Sequence, residues 1–260
     1  MIATSVTAST LDQTRQLAAW LEGADVELPV PTCPGWTLAH LVEHVGATQR
    51  WVTRLVAERI GHPAAAFGVA WEQAPADRGA WPAWLVAGAR DAEAAIAGAA
   101  AGAQVFDPSG GGDGVAFWSL RLFGEISVHR IDAAATLGQP YELEPVLAAA
   151  AVDDWLGTMA SSGWAANVPG FADAMAGNGE TIAWVADDAD RAWLLRRTDA
   201  PLVLVRERGA ADATIHGPAN ELLQIVSRRR SLDGAEACVV EGDRDELVHL
   251  IEHMTWLGAS

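Results

Sequence analysis

Lysine is absent from the chain, so all 17 cationic side chains are arginines, set against 34 Asp and Glu for a formal net charge of −17. A surface this acidic repels phosphate backbones and anionic headgroups, which argues against nucleic-acid and membrane partners. Cysteine is scarce as well. Cys33 and Cys238 stand in unrelated contexts without a CxxC spacing and are read as two reduced thiols rather than a disulfide framework. No apolar run approaches the ~18 residues of a membrane span, the longest being the alanine-rich stretch at residues 94–103. The N-terminus has no basic segment ahead of an apolar core, so no signal peptide is predicted and the expected compartment is the cytoplasm.

What is present is a 260-residue chain, half of it hydrophobic, with room for a large core and for two domains or one large one. Residues 6–23 read as an amphipathic helix, capped by Ser9 or Thr10, with Leu11, Leu17, Ala18 and Leu21 facing inward. Residues 28–35 contain Pro29, Pro31 and Pro34 and read as a stiff entry loop, because proline fixes φ and removes a donor. A long helix is predicted over residues 36–60, with Thr37 as cap and Leu38, Leu41, Val45, Thr48, Val52, Leu55 and Val56 as its buried stripe. A connection at 61–80 leads to a third helix at 81–102. The glycine-rich segment 106–114 has neither the Lys-Ser/Thr nor the spacing of a phosphate-binding loop and is expected to be mobile. A fourth helix covers 117–137 and stops at Gly138, and a further one at 144–160 carries Val146, Val152, Trp155 and Leu156 on its inner side.

After Ser161 the texture changes. Residues 163–179 read as loop, strands are predicted at 181–185, 192–196, 202–205, 213–216 and 237–241, and helices at 218–227 and 243–256. In the closing helix Leu247, Leu250, Ile251, Met254 and Leu257 face inward, which turns His249 and His253 toward solvent. The fold class is therefore an N-terminal antiparallel four-helix bundle, residues 1–165, followed by a smaller α+β domain, residues 175–260.

Within the fourth helix Glu125 and His129 stand four residues apart and aim at one point. Trp118, Leu122 and Ala133 share their side, whereas Ser127 and Arg130 project from the other, so the ionisable pair is predicted to face inward. Buried charges need a cation, a hydrogen-bond network or a wet pocket. The pair is read either as a half-site for a metal or as an ordinary Glu/His contact at the core rim. The second helix contains His40-Leu41-Val42-Glu43-His44, formally a zinc-peptidase pattern. Glu43 and His40 lie well round from the apolar stripe, however, and the same pattern recurs at 249–253. Only His44 sits at the inner flank. Facing helices of a bundle build metal sites from such inward side chains, and two histidines with one glutamate leave the vacancy that a catalytic zinc site requires. That assigns His44, Glu125 and His129 as candidate ligands.

The run Cys33-Pro34-Gly35-Trp36-Thr37, continuing through Leu41 and His44-Val45-Gly46, is followed about 80 residues later by Glu125, His129-Arg130 and Asp132-Ala133. This two-part pattern resembles the mycothiol-dependent maleylpyruvate isomerase family, whose members are similar to DinB-like metal-binding four-helix bundles. The segment 211–218 with Leu222-Leu223 and 240–243 resembles the sterol-carrier-like C-terminal domain of the same proteins. The resemblance implies Zn2+ or a similar divalent metal on His44, Glu125 and His129, with mycothiol as thiol cofactor or cosubstrate at the open position, where a coordinated thiol loses its proton. It further implies an electrophilic small-molecule substrate. Thiolate addition, rotation and elimination would isomerise a cis-enone acid of the maleylpyruvate type; an adduct that is kept would make the enzyme a thiol S-transferase. Arg228, which stands at the family's Gly-Arg position as Ser227-Arg228, is implied to pair with a substrate carboxylate. Asp132 is expected to orient a ligand or the substrate, or else to pair with a nearby arginine. Cys33, without a histidine at helical spacing, is not read as a nucleophile. Two alternatives stand beside this reading: a DinB-like metalloenzyme using metal-bound water without a thiol, and a non-catalytic binder of an apolar ligand.

Overall fold

The computed structural model describes residues 2–199 and 202–254. Packing divides the chain into two units, residues 1–141 and residues 142–260. The first is helical and the second contains a small sheet, the architecture expected from the change in sequence texture. The compositional change falls after Ser161, whereas the packing division falls at Tyr141/Glu142, because a helix that is alanine-rich like its predecessors packs with the sheet-bearing unit.

In the first unit the long helices are α1 (Ile2–Trp20), α2 (Leu38–Ala57), α4 (Trp81–Ala97) and α5 (Gly114–Leu137), with a short α3 (Pro63–Phe67) between the second and third of them. α1 and α2 each pack against both α4 and α5, which closes a four-helix ring. The apolar stripe of α2 is buried throughout, from Leu38 to Val56. Its first turn is tied by the Thr37 backbone N–H, which donates to His40 Nδ1 at 3.0 Å. α1 ends earlier than its periodicity suggests, at Trp20, and the chain turns through Gly23 at φ 73°.

α5 begins at Gly114, three residues ahead of the apolar repeat. Asp113 caps it by accepting from the Ala116 N–H at 3.0 Å. The absence of a side chain at Gly114 lets the helix start beneath Val105, whose carbonyl oxygen would lie 2.3 Å from a Cβ there. The glycine-rich segment before it is folded around the Asp107 carboxylate, which accepts from the Ser109 N–H at 2.8 Å and the Gly112 N–H at 2.7 Å. Ser127 and Arg130, expected on an outer face, are both buried. α1 covers that side of the helix: the Arg130 guanidinium lies 5.5 Å from the Trp20 ring and 4.5 Å from the Tyr141 ring and donates to Gln16 Oε1. A helical projection assigns one outer face; a helix enclosed on both sides has none, and its polar residues are retained by partners instead.

In the second unit α6 (Pro145–Met159), α7 (Ser162–Asn167) and α8 (Phe171–Met175) precede the strands β1 (Thr181–Ala186), β2 (Arg191–Arg196), β3 (Val203–Val205), β4 (Ala213–Gly217) and β5 (Val239–Gly242). Helices α9 (Ala219–Val226) and α10 (Arg244–His253) complete it. The sheet order is β3-β2-β1-β4-β5. β1 pairs antiparallel with β2 and parallel with β4, so Trp184 stands opposite both Trp193 and Ile215. Every residue of β1 is buried, as a central strand covered on both faces requires. α9 packs on β1 and on α6, and α10 packs on β4 and α8.

Three expectations change here. Residues 163–179, read as loop, contain α7 and α8. Val146 is 53% exposed rather than inward. His249 and His253 are partly buried rather than solvated. His249 Nε2 lies 2.7 Å from the Ala174 carbonyl of α8, and His253 Nδ1 lies 2.8 Å from the His249 carbonyl. Leu247, Leu250 and Met254 are buried as read; Trp256 and Leu257 lie outside the described residues.

At Gly46 a Cβ would fall 2.0 Å from Trp84 Cζ3. The Trp84 ring is buried, with the Arg50 guanidinium 4.2 Å above it. Gly46→Ala is therefore expected to destabilise the protein by about 1–3 kcal/mol through overpacking, read as a Tm lowered by about 2–4 °C for each kcal/mol in thermal unfolding.

Candidate metal centre

The centre is assembled from two helices and one loop of the first unit. α2 supplies His44. One face of α5 supplies Glu125, His129 and Asp132, spaced by four and three residues so that they rise along the same side. The loop ahead of α2 is closed by short-range bonds: the Val30 N–H donates to the Trp36 carbonyl at 2.9 Å, the Trp36 N–H to Cys33 at 3.0 Å and the Leu38 N–H to Leu28 at 2.9 Å. Gly35 turns it with φ 83°. This fold lays the Trp36 indole 5.2 Å from the His44 ring and, with planes 17° apart, 5.8 Å from the His129 ring.

Glu125 Oε2 is 3.2 Å from His129 Nε2 and 3.7 Å from His44 Nε2. The three donor atoms lie within 4.8 Å of one another. Donors on a tetrahedral ion at bonds of about 2.0–2.2 Å stand about 3.3–3.6 Å apart, so two imidazoles and one carboxylate at these separations fit a zinc-sized divalent ion. Side-chain exposure falls from 31% at His44 through 21% at Glu125 to 9% at His129, which makes the His44 side the open one. Trp71, 53% exposed, stands 6.1 Å from His44 on that side.

Behind His129 a hydrogen-bond network fixes the ring. Asp132 is completely buried, and its Oδ2 lies 2.9 Å from His129 Nδ1. The same carboxylate accepts from the Thr32 hydroxyl at 2.6 Å and the Cys33 thiol at 3.4 Å. On the other flank Arg121, 4% exposed, places Nε 3.4 Å from Glu125 Oε1. Burial alone would push Glu125 upward, but Arg121 and the two imidazoles outweigh it and hold the carboxyl well below the usual carboxylate range. Burial likewise disfavours charge on His129, yet Asp132 and Glu125 together raise it above its ordinary value.

Cys33, His129 and Asp132 also bring three donor atoms within 4.8 Å. There the thiol and the imidazole already share the Asp132 carboxylate as donors. Two of the remaining sequence candidates lie on the outer side of α2. His40 and Glu43 are exposed, and His40 serves the helix start. Arg228 belongs to the second unit, where it takes a left-handed backbone at φ 61° and donates to the Glu252 carbonyl at 3.3 Å. The sequence reading does not single out Arg121, Trp36 or Thr32 as functional. Arg121 is the detectable one, four residues before Glu125 and therefore one turn below it on the same face.

Residues 8–134 match the family model described as the mycothiol maleylpyruvate isomerase N-terminal domain. This stretch is a mycothiol maleylpyruvate isomerase N-terminal domain. A crystal structure of the mycothiol-dependent maleylpyruvate isomerase shares its fold, with a TM-score of 0.53 at 11% identity over 92% of this chain and 91% of that one. A UbiJ-SCP2 ubiquinone synthesis protein is similar over 42% of this chain and 93% of its own length, at 17% identity and a TM-score of 0.31. No curated protein matches the chain. Both halves of the family pattern read from the sequence, the loop leading to His44 and the segment from Glu125 to Ala133, fall inside the matched residues.

In the metal-free protein the elevated His129 contributes stability that is complete below its ordinary value of 6.5 and is lost as pH rises through the folded value. Glu125 contributes stability that is complete above the ordinary carboxylate range and is lost as pH falls through its depressed folded value. With a chelator present, the His129 midpoint followed by ring-proton NMR is expected above 6.5 and is expected to fall in Asp132→Asn; a midpoint indifferent to that change would contradict the network.

Proposed function

We propose that the chain is a mycothiol-dependent enzyme of the isomerase type that works on a small-molecule electrophile in the cytoplasm, with Zn2+ or a similar divalent ion held by His44, Glu125 and His129. The observation that carries this reading is the convergence of three donor atoms from α2 and α5, at 3.2 and 3.7 Å about a single carboxylate oxygen, on the solvent-open side of the helical unit. When bound, the ion would supply a Lewis acid that stabilises the thiolate form of a coordinated thiol.

The chain's own residues prepare that chemistry. With His129 Nδ1–H donating to the Asp132 carboxylate, the Nε2 lone pair is directed at the centre. Thr32 and Cys33 hold Asp132 in turn. Asp132 is thus a positioning residue, and Cys33, as a hydrogen-bond donor, is a protonated thiol rather than the nucleophile. Trp36 covers both imidazoles and keeps water from that side. Arg228 is assigned to the substrate carboxylate, where a guanidinium offers two parallel donors. S-transfer to a retained adduct would draw on the same first step.

Calorimetry of chelator-stripped protein is expected to show one zinc per chain, with affinity reduced more than about 100-fold in His44→Ala, beyond the loss typical of outer ligand partners. Mycothiol is expected to raise Tm in the zinc-loaded form and not in the stripped form; no stabilisation at saturating mycothiol would remove the thiol from the proposal. In a maleylpyruvate isomerisation assay Arg228→Met is expected to raise KM at least about tenfold, the loss of one charged hydrogen-bonded contact, with zinc content unchanged.

A further inference from the structure

Glu125 is held asymmetrically. Its Oε2 faces His44 Nε2 and His129 Nε2, while its Oε1 faces the Arg121 guanidinium at 3.4 Å. Arg121 stands one turn earlier on α5, is 4% exposed and shares a continuous helical backbone with Glu125. At a spacing of four residues the two side chains lie on the same helical face, one turn apart. Because the guanidinium is buried, water screens its charge weakly, and the ion pair at 3.4 Å holds Oε1 on the Arg121 side although Nε itself makes no hydrogen bond among the described residues.

This matters because a carboxylate can offer a metal ion one oxygen or two. Two imidazoles and a two-oxygen carboxylate make four donors, which would fill a tetrahedral ion as structural sites are filled; one oxygen leaves a position open. Resting on the reading above, we propose that Arg121 is the positioning residue that confines Glu125 to one-oxygen ligation and thereby preserves the coordination position at which a thiol binds. The residues on the His129 side act elsewhere, since Asp132, Thr32 and Cys33 orient the imidazole and leave Glu125 untouched.

The test uses the full chain loaded with cobalt(II), whose visible absorption is strong in four-coordinate and weak in higher-coordinate sites, with mycothiol as the added thiol. Wild type is expected to give the strong spectrum and a sulfur-to-cobalt band on thiol addition. Arg121→Met, close in volume and uncharged, is expected to keep strong four-coordinate bands, to lose the sulfur-to-cobalt band at thiol concentrations that produce it in wild type, to bind metal more tightly and to lose mycothiol affinity about tenfold, the scale seen when an outer partner of a ligand is removed. Arg121→Lys, which returns the charge without the planar fork, is expected to recover part of the thiol affinity. A wild-type sulfur-to-cobalt band and wild-type thiol affinity in Arg121→Met would overturn the proposal, as would a change confined to Tm. X-ray absorption on the unaltered zinc protein gives a check that needs no variant: one Glu125 oxygen at bonding distance is expected, and two would overturn the inference. Should wild type bind neither zinc nor cobalt, the metal reading itself fails and this one with it; should it bind both and respond to thiol while the Arg121 variants behave alike, only the role of Arg121 falls.

Discussion

The contact on which the centre depends is the hydrogen bond between the buried Asp132 carboxylate and His129 Nδ1. An imidazole can present either nitrogen, and without a partner on one side its ring is free to turn and its proton free to exchange between them. Asp132 removes both freedoms. Its own burial would be costly were its oxygens not occupied by the Thr32 hydroxyl, the Cys33 thiol and the imidazole. The loop that supplies Thr32 and Cys33 also supplies Trp36, so the same short excursion fixes the carboxylate behind His129 and the indole in front of it. The stiffness that three prolines give this segment is what allows it to act as a clamp.

Much of this arrangement was legible in the amino-acid order because it follows helical periodicity. Glu125 and His129 at i and i+4 must share a face, and the position of His44 on the flank of a continuous apolar stripe left one direction for its ring. The rejection of His40 and Glu43 follows from the same projection, and both are exposed. Projection failed where its premise failed. It assumes that a helix has an outer side, and the middle of α5 has none, so Arg130 and Ser127, projected to the side away from Glu125, are both buried, Arg130 against Trp20 of α1 and Ser127 on the Phe123 carbonyl of its own helix. It also assumes that a histidine off the apolar stripe is wet, whereas His249 finds the Ala174 carbonyl on α8, a short helix too weakly patterned to be recognised. Loop contacts such as Thr32 to Asp132, a hundred residues apart in sequence, have no periodic signature at all.

The two units carry different kinds of information. The helical unit reads through side-chain chemistry at a few positions. In the second unit the parallel pairing of β1 with β4, two strands that are not consecutive, is set by burial of β1 on both faces and by α9, which follows β4 and packs back on β1. A run of apolar residues predicts such a strand but not its neighbours.

The enclosure of α5 also bears on how such a protein diverges. Nearly every position from Trp118 to Ala134 is packed on some side, so most substitutions along α5 collide with the core before they alter the face that carries Glu125 and His129. Phe67 and Trp71, at 74% and 53% exposure, carry little of that burden. Sequence drift would then accumulate first in the exposed segment that places Trp71 beside His44, while the packed face of α5 stays as it is.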